Sequence, residues 1–429
     1  MDRREVVITG MGLVTPLGST VSENWANMKA LKTGLACYPK AGLPAFMEYL
    51  GKISQVSVPE EIPQKISGQM KFLSRGSLLG FIAAAEAAAQ AGYAGADVTA
   101  GRRALYIASG DFTKVGYDFL YPAVKDASLH NWRELDHAKL NDAALSKVNP
   151  FFLLESLLNN LFSFLSAFLE SMGPSTSVAS LSPCGGYAIE LACRSIRQNR
   201  ADIAVAVGCG NWITEIPLYE IDGLGIASQC RDGVGSFRPF DRRRDGFMTG
   251  EGGAALVLET PESAERRGAP VFGRIRGVGN CIEFVPGRGL TVPPLVSRRC
   301  MEIAMADAGM NFNELGFITP HGSGTQKGDA SELMSIARVL EDNKAAVPIS
   351  GMKAYTGHLG AASDIAEVIM GIAAGREHIV PATLNFSEPD RSLPDLNISG
   401  GHQVSDKAAF LSTSYGVGGQ SSSVVVEVL

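Results

Sequence analysis

No two cysteines in this sequence are spaced to share a metal or to staple a small fold. The seven (Cys37, Cys184, Cys193, Cys209, Cys230, Cys281 and Cys300) are odd in number and scattered, without a CxxC pair. That pattern argues against a zinc site and a disulfide framework, and leaves most of them as small buried hydrophobes. Charge is also scarce, at 19% of residues with a net charge of -6, so there is no global footprint for nucleic acid or an anionic membrane. An acidic partner would have to meet a local basic patch. The opening MDRREVVITGMG starts a strand directly and lacks the features of a signal peptide, so a cytoplasmic protein is expected. Nor is any apolar run clean enough to span a bilayer. The strongest, FFLLESLLNNLFSFLSAFLESM from Phe151 to Met172, is interrupted by Glu155, Asn159, Asn160 and Glu170, which predicts one or two buried helices.

What the chain does have is length and apolar content: 429 residues, 45% hydrophobic, enough for one large two-part core or two domains. Short β-branched runs ending in glycine alternate with Ala-rich helical stretches, the pattern of parallel strands joined by crossover helices, so the fold class is α/β. Expected strands are Val6 to Thr9, Leu105 to Ala108, Ile203 to Val207, Ala255 to Leu258, Phe317 to Thr319 and Ser423 to Val428. AAEAAAQAGYAG…RRALYIASG is echoed by MEIAMADAGMNFNELGFITPHGSG: in each, a helix ends in Ala-Gly, then comes a turn and a strand. Pattern alone leaves duplication and chance about equal. The stretch Phe112 to Asn149 is polar and irregular, which suits an insertion or cap better than the sheet.

Two of the six histidines stand out. His321 follows the strand Phe317 to Thr319, and Gly322 and Gly324 let the backbone turn closely around it. An imidazole is thereby placed at the carboxyl end of a parallel strand, where open α/β sheets hold ligands. His358 precedes LGAASDIAEVIMGIAAG, a small-residue helix, so its ring should be kept neutral and able to donate. His130, His137, His378 and His402 match no pattern and read as surface or structural residues.

Four segments, in order and over almost the whole length, resemble the β-ketoacyl-acyl-carrier-protein synthases: VVITGMGLVTPLG, FRPFDRRRDGFMTGEGGAALVLE, TPHGSGTQKGDASE with GMKAYTGHLGAASDIAEVI, and STSYGVGGQSSSVVVE. The resemblance implies a thiolase-like fold, with duplicated βαβαβαββ halves in a five-layered αβαβα arrangement. Residues 1–259 would form the N-terminal half, with an insertion or cap near 112–172, and residues 260–429 the C-terminal half. It assigns His321 and His358 to the pair that holds the thioester oxygen while malonyl loses carbon dioxide. It makes Lys353, Asp329 and Glu332 a supporting ion-pair network, and puts Thr325, Tyr415, Gly416, Gly418 and Gly419 beside the substrate, Tyr415 standing where the family has a phenylalanine. It implies a homodimer through the central sheet, an acyl carrier protein as partner, and no cofactor or metal. Lys65, Lys71, Arg75, Arg266 and Arg267 are docking candidates for an acidic carrier.

The departure lies at the nucleophile. The family pattern GP-x-x-S-x-x-T-A-C-A corresponds to GPSTSVASLSPCGGYAIELACRSI, and an ungapped match puts Ser182 at the cysteine position, with Cys184 two residues late. Leu181, Pro183 and Cys184 replace small residues. A helix terminus contributes about 0.3 to 1 kcal/mol, sufficient to bring a thiol into its working range but not a serine hydroxyl. A serine would need an oriented general base. The sequence thus keeps the decarboxylating pair and weakens the acyl acceptor. The expected function is decarboxylation of malonyl-acyl-carrier protein to acetyl-acyl-carrier protein, resembling the serine-bearing, ketosynthase-like decarboxylases of polyketide clusters. Two alternatives stay open: acyl transfer or condensation through Ser182 or Cys184, and a non-catalytic partner subunit like the chain-length factors.

Overall fold

The structure is a computed structural model that describes residues 4–39, 42–59, 62–110, 117–129, 133–150, 159–180, 182–287 and 291–429. Among the described residues nine strands form the main sheet: β1 (Val7–Val14), β2 (Arg103–Ser109), β3 (Ser175–Val178), β4 (Ile203–Asn211), β5 (Glu251–Glu259), β6 (Gly273–Ile282), β7 (Leu315–Thr319), β8 (Ala409–Tyr415) and β9 (Gln420–Val428). Their spatial order is β7-β8-β9-β6-β1-β5-β4-β2-β3. Strand β2 runs parallel to β3 and β4, and β7 runs parallel to β8. The other pairings are antiparallel.

The sheet has a narrow waist. Strands β1 and β6 pair only at Val7 with Arg274 and Ile8 with Gly273, so five strands on one side and four on the other behave as two packed faces. Between them lie α2 (Cys184–Arg197) and α6 (Ser363–Gly375); outside lie α1 (Arg75–Gln90) on one side, and α4 (Arg298–Ala308) with α5 (Gln326–Leu340) on the other, while α3 (Glu215–Gly223) follows β4.

The alternation of side chains along each strand builds these layers. On β2 and β4, Ala104, Tyr106, Ala108, Ala204 and Ala206 face the central helices, packing with Ala188, Ile189, Ala192 and Ile365. Their neighbours Leu105, Ile107, Ile203, Val205 and Val207 face outward onto Leu79, Phe81, Ala83 and Ala87 of α1. In the second half, Phe410, Val424 and Val426 join the central layer, while Leu411 and Val425 pack on Met301, Ala304, Leu333 and Ile336 of α4 and α5. Burial on both faces explains why these strands read as continuous apolar and small-residue runs. The result is the five-layered αβαβα arrangement.

The internal echo is structural. Helices α1 and α4 each end before a left-handed glycine, Gly92 at φ 61° and Gly309 at φ 64°, and each then leads to a parallel strand, β2 or β7. A glycine in that conformation closes a helix without the steric penalty of a Cβ. All six expected strands are present, with longer bounds, whereas β3, β6 and β8 are additional. Of the expected insertion, residues 112–116 and 130–132 lie outside the described residues; the described part contains two helices (Tyr117–Ala127 and His137–Lys147) and a pair of two-residue strands, all outside the main sheet. Of the apolar run, Asn159–Phe168 is helical and buries Leu161, Phe164 and Leu165; residues 151–158 lie outside the described residues, as do His130 and Leu181. Among the described residues, no helix is long and apolar enough to cross a membrane.

Candidate active site

Both singled-out histidines come from the later part of the sequence and meet beside Trp212, just past the carboxyl end of β4. His321 leaves β7 and enters a loop that Thr325 converts into α5, its hydroxyl capping the N–H of Gly328. The first turns of α5 then reach back: Glu332 accepts the backbone N–H groups of His321 at 2.7 Å and Gly322 at 2.9 Å. Asp329 accepts those of Gly324 at 2.9 Å and Phe240 at 2.8 Å. Residues three apart share a helix face, so both carboxylates can serve one loop. Burial pushes Asp329 up to about 6 and Glu332 up to about 8, against the pull of these N–H bonds.

His358 is fixed by its backbone and by its ring. Its N–H donates to the Met248 carbonyl at 2.8 Å, and its own carbonyl accepts from Gly250 at 2.9 Å. Its Nδ1 accepts the Gly360 N–H at 3.1 Å, which leaves the ring proton on Nε2. One ring face stacks on Trp212, with centroids 4.6 Å apart at 10°, and Phe247 packs at 5.0 Å. The His321 and His358 rings lie 5.1 Å apart, edge to face. His321 Nδ1 stands 2.9 Å from Ser414 Oγ, near the end of β8.

Both imidazoles are held well below the ordinary histidine range, first by burial and then by the positive charge of Lys353, so both are neutral at physiological pH. Lys353 is itself buried and donates to Glu367 at 2.7 Å. Burial raises Glu367 to about 7, with Lys353 pulling it back.

The two imidazoles line a cavity of about 60 Å³ together with Ser182, Thr325, Tyr415 and Gly416, and its remaining wall is largely apolar. Tyr415 packs against the His321 ring at 4.4 Å, and its hydroxyl is 3.2 Å from Ser323 Oγ. Gly418 and Gly419 do not line the cavity: the N–H of Gly418 donates to Thr291 and the carbonyl of Gly419 accepts from Glu283, so they close the turn behind Tyr415.

Ser182 sits just before α2 and faces the cavity, yet its buried hydroxyl has no hydrogen-bond partner among the described residues. Neither imidazole takes its proton. Cys184 is fully buried, does not line the cavity, and points its Sγ at the Ser180 carbonyl at 3.1 Å. Asp364 occupies the start of α2, accepting the Gly186 N–H at 3.1 Å.

Sequence reasoning missed Trp212, Phe247, Ser414, Glu367 and Asp364. Phe247 lies within the quoted RRRDGFMTGEGG stretch, where position in an ordered motif was the available signal; Trp212 carries no local signal. Among the docking candidates, Arg75 is spent on Glu251 at 2.9 Å and Arg267 on Glu259. His402 is structural, accepting the Ala382 N–H at 3.0 Å.

Residues 3–264 match the model of the beta-ketoacyl synthase N-terminal domain and residues 288–387 that of the C-terminal domain. The chain is 27% identical over 429 residues to the 3-oxoacyl-[acyl-carrier-protein] synthase 2 of Vibrio harveyi, covering 99% of each. The same identity holds over 435 residues for the Coxiella burnetii protein of that name, again with 99% of each covered. A beta-ketoacyl synthase from Burkholderia phymatum superposes with a TM-score of 0.84 at 26% identity, over 99% of this chain and 100% of that one. A type II PKS ketosynthase solved with its acyl-carrier protein superposes with a TM-score of 0.85 over 100% of both chains, at 22% identity, and shares the fold. With both domain models matched in order across this chain, it belongs to the β-ketoacyl synthase family.

Proposed function

We propose that this protein decarboxylates malonyl-acyl-carrier protein to acetyl-acyl-carrier protein. The observation that carries the reading is the combination of two neutral imidazoles at one cavity with a Ser182 hydroxyl that no base engages. The thioester oxygen sits against Nε2–H of His358 and, with the Ser414 hydroxyl donating to Nδ1, Nε2–H of His321. When the bond to the carboxylate breaks, carbon dioxide leaves and its electron pair passes to the thioester, forming an enolate held by the two donors. Preorganised donors at such an oxygen are each worth about a hundredfold in rate or more. The apolar wall disfavours the carboxylate in the ground state relative to the spread charge of the transition state. A proton from water then converts the enolate carbon to the acetyl methyl group.

Lys353, Asp329 and Glu332 act as positioning residues that do not touch substrate: Asp329 and Glu332 hold the His321 loop, and the Lys353 charge helps keep both rings neutral. The carrier protein is the partner, by analogy with the relatives named for it. A homodimer across the sheet edge is part of the same proposal, supported by β3, which has a sheet neighbour on one side alone among the described residues; sedimentation equilibrium tests it.

Condensation is the competing reading, favoured by relatives named as synthases over nearly the full chain. Intact mass of malonyl-carrier protein incubated with the enzyme decides between them. Loss of carbon dioxide from the carrier, with the enzyme mass unchanged, supports decarboxylation. An acyl adduct on Ser182 supports condensation, and unchanged carrier that reacts only after a second synthase is added points to a partner subunit.

A further inference from the structure

We propose that Trp212 sets the size limit of the acyl unit this site accepts, confining it to short, unbranched malonyl-type groups; the inference rests on reading the cavity as a thioester pocket. The indole is buried and wedged on several sides. One face stacks on His358 at 4.6 Å, nearly parallel, and Phe247 lies at 6.4 Å. Its Nε1–H donates to the Gly110 carbonyl at 3.0 Å, just past the carboxyl end of β2. Gly360, at φ 61°, completes the wedge, for a Cβ there would come within 2.6 Å of Nε1. The same Gly360 donates its N–H to His358, so a single residue admits the indole and sets the imidazole proton. Behind the ring, Gly110 abuts the Ser180 carbonyl backbone.

A side chain anchored in this way is a wall rather than a swinging gate. It closes the space between His358 and the end of β2, and the cavity that remains is about 60 Å³. One water needs roughly 10 to 15 Å³ on that scale, so only a few atoms fit beyond the thioester carbonyl. The wall formed by Ile221, Leu224 and Ile226 is apolar and would tolerate alkyl groups, which leaves bulk at Trp212 as the discriminating element.

The test compares malonyl-, methylmalonyl-, ethylmalonyl- and butylmalonyl-pantetheine as substrates for carbon dioxide release. The natural enzyme should lose about tenfold or more in kcat/KM between malonyl and butylmalonyl, the range expected when a pocket meets extra methylenes. Trp212→Ala and the milder Trp212→Leu should shrink that ratio to about threefold or less, mainly through KM. Each should also lower kcat on malonyl, because His358 loses its stacking partner. Calorimetric binding of acetyl- through octanoyl-pantetheine, which needs no turnover, should show the same shift toward longer chains. Equal handling of all four substrates by the natural enzyme would overturn the proposal. So would a folded Trp212→Ala protein with the original chain preference. If the natural enzyme released no carbon dioxide from any substrate, the decarboxylase reading would fail, while the binding series would still judge Trp212.

Discussion

Replacing Ser182 by cysteine restores the thiol the family pattern calls for, but the surroundings predict a sluggish one. A free helix N-terminus stabilises a thiolate by about 0.3 to 1 kcal/mol, which is about 0.2 to 0.7 of a pKa unit. Here that terminus is already occupied: Asp364 accepts the Gly186 N–H in the first turn of α2. Its pKa is raised by burial, with Lys353 pulling it back. A carboxylate there offsets the favourable end of the dipole, and burial of the new thiol opposes ionisation further. The introduced thiol should therefore titrate at or above the ordinary ~8.5, with about a tenth or less as thiolate at pH 7.5. Acylation by acyl-carrier protein, followed by intact mass and mapped to peptide 182, should accelerate about tenfold per pH unit up to that midpoint. Adding Asp364→Asn removes one charge worth about 1 kcal/mol and should raise the neutral-pH rate about fivefold. A Ser182→Cys protein that is already fully reactive at pH 6.5, with no response to Asp364→Asn, would refute this account of α2. An adduct on Cys184 of the natural protein would refute the burial assigned to that thiol.

His321→Ala and His358→Ala should each lower malonyl decarboxylation by about a hundredfold or more, measured by carbon dioxide release, while leaving carrier-protein affinity within a few fold; full turnover by both would sink the site. Lys353→Met leaves Glu367 buried and unpaired, a loss of about 3 to 5 kcal/mol. Thermal unfolding should show much of it recovered in Lys353→Met/Glu367→Gln, and no recovery would mean that the pair is not an isolated unit. Glu332, raised to about 8 in the folded chain, keeps its proton there after the unfolded chain has lost its own near ~4.3. Its contribution is present in full below that unfolded pKa and is lost as pH rises through about 8. A Glu332→Gln protein, though less stable because one backbone N–H loses its acceptor, should accordingly show a flatter decline of unfolding temperature between pH 5 and 8. An identical slope would remove Glu332 from the titrating set.

The α/β class and six strands were legible because strands buried on both faces concentrate Val, Ile, Leu and Ala; the duplication was not, because a helix ending in Ala-Gly, a turn and a strand can recur by chance in any α/β chain. Strand β3, STSV, has too few apolar residues to register, and β6 dilutes its alternation with Arg274, Arg276 and three glycines. The place of Asp329 and Glu332 near the His321 loop came from the family motif, and their separation of three residues on α5 explains how both reach it. The contact of Trp212 with His358 was not, since the residues lie far apart in sequence and meet only when the halves close. Ser414 was hidden in a motif whose glycines and Tyr415 drew attention first, and Gly418 and Gly419 shape that turn from outside the cavity.

The narrow waist carries a consequence for how activity can be lost. Ser182, Trp212 and Phe247 come from the five-stranded side, to which the backbone of His358 is also bonded through Met248 and Gly250, whereas His321 and Tyr415 come from the four-stranded side, and the sheet joins the two through just two residue pairs. Alignment of the constellation therefore depends on the central helices, where Gly185 faces the Ala361 carbonyl so closely that a Cβ would stand 2.9 Å from it. Bulk added at that crossing would pry the donors away from the acyl-binding wall while each remained folded within its own layer. Such a variant would be inactive with every site residue intact, and co-expressed fragments cut between Glu259 and Gly273 could regain activity only by docking through the same helices.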